Sequence, residues 1–341
     1  MTTSTTAVVL LRRPIGEPQP DDFAIRELEV PAPSAGQLVV RNIAMSVDPS
    51  MRGRLEPTEK HYTTNFEVGA PLDGSAIGQV ERSEDPGIPV GAFVRHRMGW
   101  RQHAVVDAAA ASVVDPETAP LGAWLGVLGQ TGFTAWAGLK RIGRLAEGDT
   151  LFVSAAAGAV GSAAGQFARH LGAARIVGSA GGAAKTALLV DELGFDAAFD
   201  HRAEDPSDAL DRCAPGGLDV YFDNVGGRQL VAALNHMNQN GRVALCGMIS
   251  QFDASAPKQD INHLIQAVLR RTTLTGFIVR DHEDLRPEFE TTVGGWLRSG
   301  TLTNRQTVVD GLDHSVEAFL SMLQGGNVGK MLVRLDTGLD L

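Results

Sequence analysis

From Thr150 to about residue 279 the chain alternates short apolar runs with amphipathic ones, joined by brief links. TLFVSA reads as a buried strand, AVGSAAGQFARHLG as a helix, ARIVGSA as a strand, AAKTALLVDELG as a helix and DAAFD as a short strand. A helix near 205–213, the strand LDVYFD, the helix RQLVAALNHM and the strand GRVALCG follow, then a helix around 262–271 and the strand TLTGFIV. Strands separated by helices cannot close as hairpins. They pair in parallel, with helices covering both faces of the sheet. About six strands is the size of a doubly wound, ligand-binding sheet.

The first third has a different texture. AVVLLRR, QLVVRNIAMSVD, GSAIGQVE and GAFVRHRMGWRQHAVVD are short and β-branched, and PAPSAGQ, EDPGIPVG and GAPLDG punctuate them. That pattern predicts an antiparallel β domain of barrel or sandwich type. LGAWLGVLGQTGFTAWAGLKRI, from residue 121, reads as helix pieces. The tail returns to TVVD, a helix near Ser315–Leu323 and then KMLVRL, which is expected to pair back with the N-terminal strands. The fold class is therefore α/β. A β domain over 1–124 and 305–341 is interrupted by a nucleotide-binding domain over 125–304, in keeping with the ~150 residues usual per domain.

Composition removes several function classes. A net charge of −10 argues against nucleic acid or an anionic membrane as the main partner. Two cysteines, Cys213 and Cys246, exclude a disulfide scaffold and a four-cysteine zinc site. The N-terminal MTTSTTAVVLLRRPIGEPQP has its apolar run and arginines in the wrong order for a signal peptide. No apolar stretch reaches the ~20 residues a membrane span needs, so the cytoplasm is the expected compartment.

The first strand–helix link carries the binding signal. TLFVSA leads into Ala156-Ala157-Gly158-Ala159-Val160-Gly161, an A-x-G-x-x-G form of the dinucleotide fingerprint in its required strand-to-helix context. Gly158 would let main chain approach a pyrophosphate, Gly161 would let the helix lie close to the sheet, and the helix N-terminus would face the anion. The end of the next strand decides the cofactor. An enzyme for NAD usually places Asp or Glu there. This chain offers Gly178-Ser179-Ala180-Gly181-Gly182, with Lys185 beyond it and His201-Arg202 after the third strand. Positive groups without an acid point to a 2′-phosphate, and so to NADP(H). GSAGGAAKT fails as a phosphate loop because Ala184, not glycine, precedes Lys185.

Metal and nucleophile signatures are missing. Neither cysteine lies in the first 150 residues, and His61, His96 and His103 lack ligand spacing, so no metal is expected. G-x-S-x-G, H-E-x-x-H and kinase motifs are absent. A nicotinamide enzyme of this kind needs a hydride acceptor activated by hydrogen bonds or by its own conjugation.

SVDPSMRGR (46–54), GQTGFTAWAGL (129–139), VSAAAGAVGSAAGQFAR (153–169), LGFDAAFDHR (193–202), VYFDNVGG (220–227), GRVALCGMIS (241–250), GFIVRD (276–281) and GGNVGKMLVRL (325–335) occur in that order over nearly the whole chain. Together they resemble the zinc-independent medium-chain dehydrogenase/reductases, in the branch of leukotriene/prostaglandin reductases, plant alkenal double-bond reductases and bacterial curcumin reductases. The resemblance implies a GroES-like β domain joined to a Rossmann domain with the active site in the cleft, and a homodimer. It implies NADPH-dependent reduction of the α,β-double bond of a small conjugated carbonyl, an enal or enone, by hydride addition at the β-carbon and protonation at the α-carbon. It also implies cofactor contacts at Gly158, Ala159, Val160 and Gly161 for the pyrophosphate and at Lys185 for the 2′-phosphate, beside which the residue pattern itself sets Ser179 and His201. Asn224, Cys246, Ile249, Ser250 and Asn327 would hold the cofactor further along, and Phe277 and Val279 would line the nicotinamide.

Three positions depart from the family pattern. His201 stands where tyrosine is frequent, which brings pH dependence to phosphate binding. Ser50 replaces the tyrosine of S-V-D-P-Y-M-R, and Phe252-Asp253 replaces Tyr-Asn, so two aromatic hydroxyls of the substrate pocket are gone. Of the two tyrosines left, Tyr221 is expected in the core. Tyr62 is the candidate hydrogen-bond donor to the substrate carbonyl, with Ser50 and Phe252 as pocket neighbours. An NADPH quinone oxidoreductase is the nearest competing reading. A catalytically silent NADP(H)-binding sensor is the competing reading of another class.

Overall fold

The computed structural model describes residues 3–56, 63–251, 263–339 and 341. The chain divides into two compact units, one of residues 1–126 with 306–341 and one of 127–305. The sequence texture changes at 124–125 and 304–305.

The first unit opens with β1 (Thr3–Leu10) and β2 (Phe23–Val30), an antiparallel ribbon paired from Thr3↔Val30 to Leu10↔Phe23. Next come β3 (Gln37–Ser46), the short helix α1 (Ser50–Arg54), β4 (Ala76–Ser83), β5 (Phe93–His96), β6 (His103–Asp107) and β7 (Ser112–Val113). β3 is buried along almost its whole length, as its VV and IAM runs require. It pairs antiparallel with both β4 and β6.

The helical stretch expected from residue 121 breaks into three pieces. A 3-10 turn at Leu121–Trp124 closes the first unit's leading segment; α2 (Gln130–Ala137) and a π turn (Gly138–Ile142) open the second. Glycines at 126, 129 and 138 mark the breaks, in line with their weak helix propensity. Strands and helices then alternate: β8 (Thr150–Val153), α3 (Ala159–His170), β9 (Arg175–Ala180), α4 (Ala183–Asp191), β10 (Ala197–Asp200), α5 (Pro206–Cys213), β11 (Leu218–Asp223), α6 (Gly227–His236), β12 (Met237–Leu245), α7 (Leu264–Arg270), β13 (Thr273–Gly276) and α8 (Arg286–Arg298). The six strands form one parallel sheet in the order β10-β9-β8-β11-β12-β13. This is the doubly wound Rossmann order, and it reverses between β8 and β11. The strand expected over TLFVSA ends at Val153, because Ala155 turns into the left-handed region at φ 48°. Likewise TLTGFIV is strand only to Gly276.

Aromatic rings fill the sheet's core. Phe152 stacks on Tyr221 at 4.8 Å and on Phe199 at 5.6 Å, which confirms Tyr221 as a core residue. α3 lies close to Phe195 because Gly165 has no side chain; a Cβ there would sit 2.1 Å from the ring. At the far edge α7 buries no residue and leaves Leu264, Ile265, Val268 and Leu269 between 52% and 70% exposed.

The chain then returns to the first unit with β14 (Gln306–Asp310), α9 (Ser315–Leu323) and β15 (Lys330–Arg334). β15 lies between β14, which is parallel to it, and β3, which is antiparallel, so KMLVRL does pair back with the N-terminal strands. α9 packs Phe319 edge-on against Phe23 and Trp100, each at 6.3 Å. At the head of β15 the buried Lys330 ammonium donates to Val47 O at 2.7 Å and to Asp48 Oδ1 at 3.0 Å. The ammonium, the Ser46 hydroxyl and Arg97 hold the Asp48 carboxyl below its usual range against the upward push of burial.

Candidate functional site

Ligands of open parallel sheets bind outside the carboxyl ends of the strands, where the strand order reverses. Here that point lies beyond Val153 and Asp223, the last residues of β8 and β11. Residues 154–158 turn the chain from β8 into α3, and the turn is tied to the neighbouring strand by Ala156 N–H donating to Ser179 O at 2.8 Å. Gly158 is the N-cap of α3 and contributes no side-chain cap. The ladder begins with Ser162 N–H on Gly158 O at 2.9 Å, so the amides of Ala159, Val160 and Gly161 precede it and remain donors at the positive end of the helix. Gly161 is required by packing: a Cβ would meet Ala155 O at 2.4 Å and Ala156 Cα at 2.7 Å. Around Gly158 a Cβ would meet only Ala155 O, at 3.3 Å.

At the ends of β9 and β10 basic groups gather. Burial, then the Arg202 guanidinium, lower the Lys185 ammonium, and the same two causes lead in lowering the His201 imidazole. Arg202 lies over Gly181, where a Cβ would come within 2.8 Å of its Nε. The acid at this end, Asp200, is turned onto main chain: it accepts from Gly182 N–H and from Arg202 N–H, the latter at 2.9 Å, and these bonds lower its pKa. Two cationic side chains and an imidazole, with Asp200 facing amides, form a donor set for a phosphate. Ser179 is placed differently: it is fully buried, and its hydroxyl donates to Gln229 Oε1 at 2.5 Å.

Asn224 follows β11 directly. Its N–H donates to Ser154 Oγ at 2.9 Å and its Nδ2 to Ser154 O at 2.8 Å, joining the ends of β8 and β11. Cys246, after β12, donates its N–H to Asp223 O at 2.9 Å. Burial, with Asp223 nearby, pushes its thiol up to about 12, which removes it as a nucleophile at neutral pH. Ser250 turns its hydroxyl onto Val225 O at 2.6 Å, and Ile249 beside it is exposed. Beyond β13, Phe277 meets Phe222 edge-on at 6.5 Å, and the half-buried Val279 opens a 3-10 turn. Gly138 makes this packing possible, since a Cβ there would reach Phe222 Cε2 at 2.4 Å and Phe277 Cζ at 3.0 Å.

In the first unit, Asn327 is half-buried and donates to Gly329 O at 2.8 Å. Ser50 is exposed as the first residue of α1. Tyr62, Phe252 and Asp253 lie outside the described residues. His96 is buried and driven down to about 3 by desolvation, its Nδ1 accepting from Met98 N–H, and His103 stands 3.6 Å from Glu81. Among the described residues no three His, Cys, Asp or Glu side chains are grouped to hold a metal ion. Sequence reasoning passed over Asp223 and Gln229. LDVYFD signals a buried strand, but only the sheet order shows that its last residue ends at the switch point.

The donors beyond β8, the cation group beyond β9 and β10, and the small residues between them fit a dinucleotide phosphorylated on its adenosine ribose. Comparison with known proteins agrees. A family model described as the N-terminal domain of oxidoreductase matches residues 6–114, and one described as zinc-binding dehydrogenase matches residues 159–293. The NADPH-dependent curcumin reductase of Escherichia coli is 36% identical over 334 residues, covering 96% of each chain. The NADP(+)-dependent 2-alkenal reductase of Nicotiana tabacum is 36% identical over 336 residues, covering 97% of each. The crystal structure of CurA in complex with NADPH from Vibrio vulnificus superposes with a TM-score of 0.91 at 35% identity, over 97% of this chain and 99% of that one.

Proposed function

We infer the reaction from membership: the chain belongs to the zinc-independent medium-chain dehydrogenase/reductases, in the branch of curcumin and alkenal double-bond reductases. It is an NADPH-dependent reductase of conjugated carbonyls. When bound, NADPH supplies the hydride that adds to the β-carbon of an enal or enone. The remaining work falls to the chain's own residues, and the observation that carries their assignment is the glycine-lined N-terminus of α3 at the switch point with a cation group beside it.

The amides of Ala159, Val160 and Gly161 bind the pyrophosphate, with Gly158 admitting it to the main chain. Lys185, His201 and Arg202 surround the 2′-phosphate; Ser179 supports that loop through Gln229. Asn224, Cys246, Ile249 and Ser250 supply the edge of the crevice beyond β11 and β12, Phe277 and Val279 wall the nicotinamide, and Asn327 adds a hydrogen bond to the cofactor. Tyr62 donates to the substrate carbonyl oxygen, so that charge developing there during hydride addition is stabilised, and Ser50 and Phe252 shape the pocket.

The enzyme works as a homodimer in the cytoplasm. The exposed apolar face of α7, beside the edge strand β13, supports a second copy docking there. Light scattering then reads a dimer, and Val268→Asp reads a monomer. Two unpaired thiols, Cys213 and Cys246, agree with a reducing compartment.

The deciding experiment follows NADPH oxidation with enals, enones and quinones, with NADH in parallel and a chelator present. Chelator-insensitive turnover of an enone with strong NADPH preference is the expected result. Turnover of quinones alone, or tight NADPH binding without turnover, overturns it.

A further inference from the structure

One of the cofactor positions assigned above, Asn224, hangs through Ser154 on a buried carboxylate that takes no part in that assignment. Asp223 is fully buried at the end of β11. Its Oδ1 accepts from four donors: Tyr221 OH at 2.7 Å, Ser154 Oγ at 3.2 Å, Val225 N–H at 3.0 Å and Gly226 N–H at 2.8 Å. Its main-chain carbonyl accepts from Cys246 N–H at 2.9 Å and Gly247 N–H at 3.0 Å. Ser154, held from one side by Asp223, is in turn the partner of Asn224. Oδ2 is buried with no hydrogen-bond partner among the described residues. Buried polar atoms are rarely left in that state, so the position needs a reason beyond local stability.

We propose that Asp223 is a positioning residue for the dinucleotide: its carboxylate pins the end of β8, through Ser154, to the turn that follows β11, in the arrangement that NADPH binds. The inference rests on the cofactor reading above. A carboxylate suits the task because one anionic oxygen can gather two consecutive amides and two hydroxyls. Gly226 and Gly227, at φ 72° and 55°, let the chain curl so that the amides of Val225 and Gly226 converge on it. Electrostatics alone would oppose the choice, since the residue places negative charge beneath a crevice that receives a polyanion. The two roles therefore predict opposite signs.

The test is NADPH binding by calorimetry to the full-length wild type and to Asp223→Asn, with steady-state kinetics on one enone. An amide keeps one acceptor oxygen but puts buried N–H donors where Oδ2 lies. The expected result is an NADPH Kd and KM raised about tenfold or more, with kcat at saturating NADPH nearly unchanged. Binding that is unchanged or tighter, as removal of a buried negative charge by itself would give, overturns the proposal. So does a lower kcat at unchanged KM, which reports fewer folded molecules and a merely structural role. Should Asp223→Asn melt below the assay temperature, Ser154→Ala cuts the same network from β8: an NADPH Kd raised about threefold or more supports the proposal, and an unchanged one overturns it. Wild type that fails to bind NADPH refutes the cofactor reading itself, a result distinct from a variant that binds like wild type.

Discussion

In the proposed site the preference for NADPH over NADH is assigned to the group at Lys185, His201 and Arg202, and removing its members one at a time gives a quantitative test. At ~4 Å and an effective dielectric of ~20, an ammonium and a single negative charge attract by about 4 kcal/mol. Lys185 is half-buried, and Arg202 and His201 remain in place when it is removed. Solvent screening and this redundancy bring the expected loss for Lys185→Ala to about 2 kcal/mol, or roughly 30-fold in kcat/KM for NADPH. NADH lacks the phosphate, so its kcat/KM should move by less than about threefold. Arg202→Ala, more exposed but packed over Gly181, should cost about 1 kcal/mol for NADPH. Because the proposal places both side chains on one phosphate, the double variant should depart from additivity. The assay is NADPH and NADH oxidation with a single enone at low and high salt, where the NADPH advantage shrinks with ionic strength. Equal losses for the two cofactors, in either variant, would refute the assignment of these groups to the 2′-phosphate.

Other consequences are equally open to measurement. His201 is neutral near pH 7 because burial and Arg202 lower it; phosphate binding favours its charged form, so binding takes up a proton between the free and bound pKa values. The KM for NADPH should therefore rise with pH through that window, and His201→Phe should flatten the dependence that remains after the phosphate's own titration. Gly138→Ala should destabilise by about 2 kcal/mol through overpacking on Phe222 and Phe277, read as a lower denaturant midpoint, and Phe222→Leu should restore part of it. Tyr62→Phe should lower kcat roughly 10- to 100-fold with NADPH binding intact; unchanged kinetics remove the phenol from the mechanism.

The sheet was legible in the sequence because strands buried on both faces leave a run such as VYF or RIV with no alternative use. Its strand ends were less so. Ala155 carries a left-handed φ that nothing in its side chain announces, so the strand over TLFVSA ends earlier than its apolar pattern suggests. Ser179 illustrates a second gap. Its place at the end of a strand marks it as a cofactor neighbour, yet its hydroxyl direction depends on Gln229, fifty residues away. Asp223 illustrates a third, since a charged residue closing an apolar strand resembles a solvated end until the sheet order places it in the crevice. The proposed substrate residues Tyr62 and Phe252 stand in sequence stretches whose pattern carries no period to read.

The place of β15 bears on how the chain folds as it is made. β3 cannot complete its pairing until β15 exists, and Lys330 is 283 residues beyond Val47, the carbonyl it holds. At ~5–20 residues per second the N-terminal strands wait roughly 15 to 55 seconds for their partner, whereas residues 127–305 form an unbroken stretch and can fold meanwhile. Residues 127–305 can therefore complete their sheet before the first unit completes its own. During the wait the Ala44–Ser46 end of β3 is unpaired along one edge, and Asp48 has no ammonium to neutralise it. A chain stopped at residue 305 should yield the Rossmann sheet with an N-terminal segment that exposes the Ala44–Ser46 end of β3 and binds chaperone.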